Sequence, residues 1–142
     1  MFFGRYEHSI DEKGRMTIPA RFREELGMGA FITRGFDPNL VVYTSSYFNN
    51  TISKKVDEMR NLDPQARALR RFIYSNASPL EFDKVGRILI PQFLRDAVDI
   101  HENALVIGAG VYFEIWSPNA WEALNVQLDP EKTVQQYSDL DL

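Results

Sequence analysis

The chain has 142 residues, 44% of them hydrophobic, with 16 Lys/Arg against 20 Asp/Glu and no cysteine. That length suits one ordinary domain or two small, mutually dependent halves, and the missing cysteines exclude disulfides, thiolate metal sites and cysteine nucleophiles. The net charge of −4 is not that of a generally basic nucleic-acid binder, yet residues 1–23 and 24–95 each sum to +2 while residues 96–142 sum to −8, so basic groups gather upstream and acidity at the far end.

The opening MFFGRYEHS carries no apolar run of signal-peptide type. No stretch of the chain is long enough to cross a bilayer, so a cytoplasmic location and no membrane partner are expected. RYEHSID alternates and RMTIP is short, apolar and β-prone; Gly14 between them, with Asp11 just upstream, predicts a hairpin turn. Pro19 suits the first turn of a helix, and ARFREEL places Phe22 and Leu26 on one face before Gly27 stops it. Two further strands are expected at AFIT (30–33) and NLVVYTSS (39–46), with Thr44 able to cap a helix.

Residues 50–77 read as helical. Ile52, Val56, Met59 and Leu62 form an apolar stripe, Asp63–Pro64 is an N-cap followed by a first-turn proline, and Leu69, Phe72 and Ile73 continue an apolar face. Arg60, Arg67, Arg70 and Arg71 along these helices read as a solvated face or as salt bridges between subunits, with phosphate contact the lesser reading.

From residue 78 the plan repeats. DKVGRILIPQFLR (83–95) set over DEKGRMTIPARFR (11–23) matches Asp11, Gly14, Arg15, Ile18, Pro19 and Arg23 with Asp83, Gly86, Arg87, Ile90, Pro91 and Arg95, at a constant offset of 72. Gly86 is the second turn, Pro91 opens the second helix, and Leu94 and Val98 stand four apart on it. ALVI (104–107) and VYFEIWSP (111–118) repeat the later strands, with Ser117 in the capping place of Thr44.

These elements predict an α+β fold of two pseudo-symmetric β-β-α-β-β repeats, residues 1–49 and 78–128, joined by a helical insert over 50–77. A half of that size buries too little surface to stand alone. The two are therefore expected to complete one another's sheets as one domain over residues 1–128, closing a small barrel that leaves few exposed edges. DPEKTVQQYSDLDL shows little periodicity, and residues 129–142 are expected to form a flexible acidic tail.

Catalysis finds little support. His8 and His101 are far apart, no glycine-rich loop precedes a helix, and paired acids such as Glu24–Glu25 and Asp57–Glu58 read as helix-surface charges. No catalytic residue, metal site, cofactor or small-molecule substrate is expected. The repeated turns are the candidate site. Asp11 and Asp83 can fold their carboxylates onto backbone N–H groups, and Gly14 and Gly86 can supply positive φ. Lys13 and Arg15 project from the first hairpin end, where arginine's fork of donors suits phosphate oxygens or a guanine edge. An Arg15–Asp11 ion pair across the turn would explain the same residues, and repetition cannot decide between the two.

FFGRYEHSIDEKGRMTIPARFR, FDKVGRILIPQFLR and the basic ARALRRFIYSNA (66–77) closely resemble the MraZ family, over essentially residues 1–125. One D-x-x-G-R-x-x-I-P copy would indicate only the wider AbrB-like group; two at this separation are far more specific. The resemblance implies a bacterial transcription regulator of the division and cell-wall operon, cytoplasmic and associated with the nucleoid. It implies an AbrB-like swapped-hairpin barrel made within one chain, ring-like homo-oligomers, and binding to double-stranded DNA at short direct repeats upstream of the operon. Carried over by position, it marks Arg15 and Arg87 as leading DNA contacts with Lys13 beside the first, and Arg21 and Arg23 as backbone support. The second copy departs at Val85, which stands for Lys13, and at Phe93, which stands for Arg21; Lys84 compensates in part. Asp11, Gly14, Pro19, Asp83, Gly86 and Pro91 form the turns. Two alternatives are an AbrB-like antitoxin module, which co-purification with a small toxin would favour, and a ring scaffold indifferent to DNA, which a flat DNA titration would favour.

Overall fold

In a computed structural model the structure describes residues 1–125 and 129–141. Among these residues eight strands appear: β1 (Arg5–Ser9), β2 (Arg15–Thr17), β3 (Ala30–Arg34), β4 (Asn39–Thr44), β5 (Ser78–Leu80), β6 (Arg87–Leu89), β7 (Asn103–Gly108) and β8 (Tyr112–Trp116). Helix α1 (Ala20–Leu26) follows Pro19 and α5 (Gln92–Ala97) follows Pro91, both at the places their prolines mark. The chain is α+β, with antiparallel strands throughout the described sheets.

The strand order of the larger sheet is β1-β7-β8-β4-β3-β5, and β2 pairs with β6 in a separate two-stranded ribbon. Exchanging the two repeats turns β1 into β5, β7 into β3 and β8 into β4, so the order reads the same from either end. The central pair β4–β8, the outer pairs β1–β7 and β3–β5, and the ribbon β2–β6 all join one repeat to the other. Each repeat lends its first hairpin to its partner and receives one back.

Period-two alternation decides which side chains the halves share. Ile32, Leu40, Val42, Ala104, Val106, Phe113 and Ile115 from the sheet meet Met16, Ile18, Ile88 and Ile90 from the ribbon segments in one buried cluster. Phe22 and Leu26 of α1 and Leu94 of α5 complete it. Phe22 packs edge-on against Phe2 at 5.1 Å between ring centroids.

The other face of the sheet takes the helical insert. Thr44 Oγ1 accepts from Tyr47 N at 3.0 Å, so α2 (Ser45–Tyr47) starts five residues before the expected insert, then passes through a π-helical turn (Phe48–Ile52) into α3 (Ser53–Asp57). Phe31 of β3 stacks on Phe48 at 4.6 Å, and Val56 is buried. The expected stripe does not reach Leu62, which is 92% exposed. Its helix ends at Asp57, and Asp63, preceding a proline, is extended (φ −81°, ψ 120°). Asp63 Oδ1 then accepts from Gln65 N and starts α4 (Pro64–Asn76).

Ser117 Oγ accepts from Ala120 N at 3.1 Å, and α6 (Pro118–Asn125) follows. The boundary expected at 128 lies outside the described residues. Beyond it α7 (Pro130–Gln136) forms where no element was expected. Asp129 caps it through Glu131 N, with Pro130 in the first turn, the same local signal that begins α4.

Candidate nucleic-acid interface

The two D-x-x-G-R turns are built alike to a tenth of an ångström. In the first, Asp11 Oδ1 accepts from Lys13 N at 3.0 Å and Arg15 N at 2.9 Å, while Oδ2 accepts from Arg15 Nε at 2.7 Å. In the second, Asp83 accepts from Val85 N at 3.0 Å, Arg87 N at 2.9 Å and Arg87 Nε at 2.8 Å. The glycines take φ of +88° at Gly14 and +82° at Gly86, a region other L-residues rarely enter.

Of the two sequence alternatives for Arg15, the ion pair with Asp11 across the turn is formed. The aspartate engages Nε and fixes the direction of the side chain, and the two Nη groups at the tip form the fork that remains. For Arg15 that fork has no protein partner among the described residues. For Arg87, Nη1 also lies 3.6 Å from Asp11 of the other turn. Three hydrogen bonds from the Arg15 and Lys13 groups, led by the Arg15 backbone N–H, hold the Asp11 carboxyl down at about 2. The Asp83 carboxyl is lowered in the same way, chiefly by the Arg87 N–H.

The ribbon brings the two turns together. Its register pairs Arg15 with Leu89, Met16 with Ile88 and Thr17 with Arg87. Met16 and Ile88 point inwards and are fully buried. Arg15, Thr17, Arg87 and Leu89 consequently share the outward face, with exposed Lys13 and Lys84 at its ends. A two-stranded ribbon is an element that B-DNA's major groove admits.

Of the six cations expected at the site, Lys13, Arg15, Lys84 and Arg87 lie on the ribbon and its turns, and Arg23 reaches the second turn from α1. Arg21 does not reach either turn. Arg21 is exposed on α1 beside Glu24 and Glu25. Arg23 is turned back over Gly86, where an added Cβ would collide with its Nη1. Arg95 lies over Gly14 in the same way, and it was absent from the expected site although it repeats Arg23 in the sequence. Leu89 was missed as well; its exposure shows only in the ribbon's register.

The second turn carries apolar groups on the outside. Val85 is 65% exposed, Leu89 55% and Phe93 51%, at the places of Lys13, Thr17 and Arg21 in the first repeat. Two arginines of the insert bond within it: Arg70 pairs with Asp57 at 3.1 Å and donates to Val56 O, and Arg67 donates to Asn61 O.

Comparison with known proteins matches the chain twice, over residues 1–72 and 73–140, to the family described as "MraZ protein, putative antitoxin-like". The chain belongs to the MraZ family. A protein of Thermomicrobium roseum named transcriptional regulator MraZ is 44% identical over 87% of this chain and 86% of its own length. One of the same name from Roseiflexus is 40% identical over 91% of this chain and 90% of its own. Another from Heliobacterium modesticaldum is 39% identical across the whole of both. The two matched segments of this MraZ-family chain meet between Phe72 and Ile73, inside α4, so the family's repeat and the exchange of hairpins describe the same division. Among the described residues of this MraZ chain no helix is long and apolar enough to cross a membrane.

Proposed function

We propose that this chain is a sequence-specific DNA-binding transcriptional regulator acting in the cytoplasm at the nucleoid. It binds short direct repeats upstream of its own gene, in the bacterial division and cell-wall operon. The observation that carries this reading is the outward face of the β2–β6 ribbon, where two aspartate-buttressed arginines stand side by side. Arg15 is the leading base or phosphate contact, Lys13 and Lys84 are phosphate contacts, and Arg87 is the secondary reader. Arg21, exposed on α1, and Arg23, whose guanidinium lies over Gly86, stand outside the leading contacts.

The architecture is an AbrB-like swapped-hairpin barrel made within one chain, a reading supported by strand pairs that all cross between repeats at the ribbon, the centre and the sheet edges. Lys13, Arg15, Lys84 and Arg87, with Arg23 and Arg95 over the turns, against Asp11, Glu12 and Asp83 leave +3 per chain. So small a charge attracts DNA weakly, and a ring-like homo-oligomer that presents many ribbons makes each later contact effectively intramolecular.

The family's description as antitoxin-like favours a second reading, an AbrB-like antitoxin module. Against it, the place where an antitoxin carries a toxin-wrapping segment is occupied by a second repeat whose strands are built into the sheet. Footprinting on the DNA upstream of the gene tests the first reading. Protection of spaced direct repeats by the wild type, lost in Arg15→Ala with fold and assembly intact, is the expected result; equal protection by the variant removes Arg15 from the role.

A further inference from the structure

Arg23 and Arg95 stand nine residues after Gly14 and Gly86, at the end of the same Pro-led helix in each repeat. Neither guanidinium covers its own turn. A Cβ on Gly14 would come within 2.7 Å of Arg95 Nε and Cζ, and one on Gly86 would collide with the Arg23 guanidinium. Each arginine thus occupies the space a side chain would take at the glycine of the opposite repeat. Glycine is required at both turns for its positive φ, and for this contact as well.

The backbone crosses in the same sense. Ile90 N donates to Gly14 O at 2.9 Å, and Arg95 Nε donates to Ile90 O at 3.0 Å. The first turn is therefore held on two sides by the second repeat: its glycine carbonyl by Ile90 and its α-carbon by Arg95. In the mirror arrangement Ile18 N reaches Gly86 O at 3.4 Å, a longer bond. A flat guanidinium can lie on a bare α-carbon while its edge donates; a lysine ammonium has no such plane.

We propose that Arg23 and Arg95 are crossed positioning residues, each holding rigid the turn of the opposite repeat without touching DNA. The part of this that concerns DNA rests on the proposed reading of the ribbon; the part that concerns turn rigidity does not. It follows that Arg95, from the second repeat, governs the turn bearing Lys13 and Arg15. Its loss harms operator binding more than the loss of Arg23, although Arg23 belongs to the repeat that bears those contacts.

The test uses the full chain with Arg95→Met, Arg95→Lys and Arg23→Met, each checked by a thermal melt. Amide hydrogen exchange is read at residues 13–15 and 85–87, where all six N–H groups are hydrogen-bonded. Arg95→Met and Arg95→Lys are each expected to speed exchange roughly tenfold at 13–15 and not at 85–87, with Arg23→Met doing the reverse. If Arg95→Met does not fold, the lysine variant carries the same comparison. Acceleration at the variant's own turn, or at neither, overturns the proposal. Titration against the upstream DNA at several salt concentrations is the second arm. Arg95→Met is expected to weaken binding with the log–log salt slope unchanged, whereas losing a phosphate contact lowers that slope by about 0.9. A lowered slope together with rescue by lysine would make Arg95 a phosphate contact and overturn the proposal. Faster exchange at 13–15 with unchanged DNA affinity would uphold the crossed contact and instead sink the reading of the turns as DNA contacts.

Discussion

Asp11 fixes Arg15 through its carboxylate, and the same bonds make that carboxylate hard to protonate. With its pKa held at about 2 against 3.8 for a free side chain, the turn's stabilisation is fully present above 3.8 and is lost as pH falls through about 2. Carboxyl carbon shifts should therefore give Asp11 a midpoint near 2. Arg15→Ala should raise that midpoint, because the side-chain donor and the guanidinium charge both disappear. A midpoint near 3.8 in the wild type would show the turn open in solution. The arginines themselves should differ. Arg87 shares Nη1 with Asp11 as well as Nε with Asp83, while the Arg15 tip is uncommitted. Arg15→Ala is expected to cost operator affinity about 1–3 kcal/mol, the usual range for a base-reading arginine, and Arg87→Ala less. Titrations of both at one salt concentration decide it, and a larger loss for Arg87→Ala reverses the assignment. Val85→Lys should leave binding unchanged or tighten it.

The ribbon has only three residues in each strand, so its few hydrogen bonds cannot hold it alone. Its inward side chains do so. Ile88→Ala should destabilise the chain by about 2–5 kcal/mol, the range for emptying a well-packed aliphatic site. Leu89→Ser, on the outward side of the same strand, should change stability by no more than about 0.5 kcal/mol. Urea melts of the two variants make the comparison, and similar losses would mean the ribbon's outward face is covered. Exposed Val85, Leu89 and Phe93 give the second repeat an apolar outer surface where the first is polar. Two copies of one motif thus share a backbone and differ in chemistry.

Taken as one molecule, the chain has no half that is complete. β1 has its partner in the second repeat and β5 in the first, and the ribbon needs one strand from each. Fragments 1–76 and 77–142 should each lack cooperative unfolding by circular dichroism, and mixing them should restore it. Independent folding of either fragment would contradict the exchanged pairing as the source of stability. Assembly adds a second level. Leu62, Phe36 and Met28 are large, apolar and more than four-fifths exposed, and a closed ring could bury such surface without growing into a filament. Light scattering at micromolar concentration should return a closed species well above a dimer; monomer or dimer alone would remove the ring from the proposed function.

Reading the residues in order was enough for the repeat, both turns, the proline-led helices and the caps at Thr44, Asp63 and Ser117. Each depends on neighbours a few positions away: a carboxylate reaching two residues on, a positive φ, a ring that fixes the first turn. The same local signal stands at Asp129–Pro130, where it starts a helix in a stretch whose low periodicity predicts a tail. Pairing was a different matter. A β-β-α-β-β unit has the same alternation whether its hairpin closes on its own half or crosses to the other, and what separates the two is the area buried when the halves meet. For that reason the exchange of hairpins, the sharing of Arg87 between two aspartates and the placing of Arg23 and Arg95 over each other's glycines were settled in three dimensions. All join residues between 46 and 102 positions apart, distances at which only packing chooses the partner.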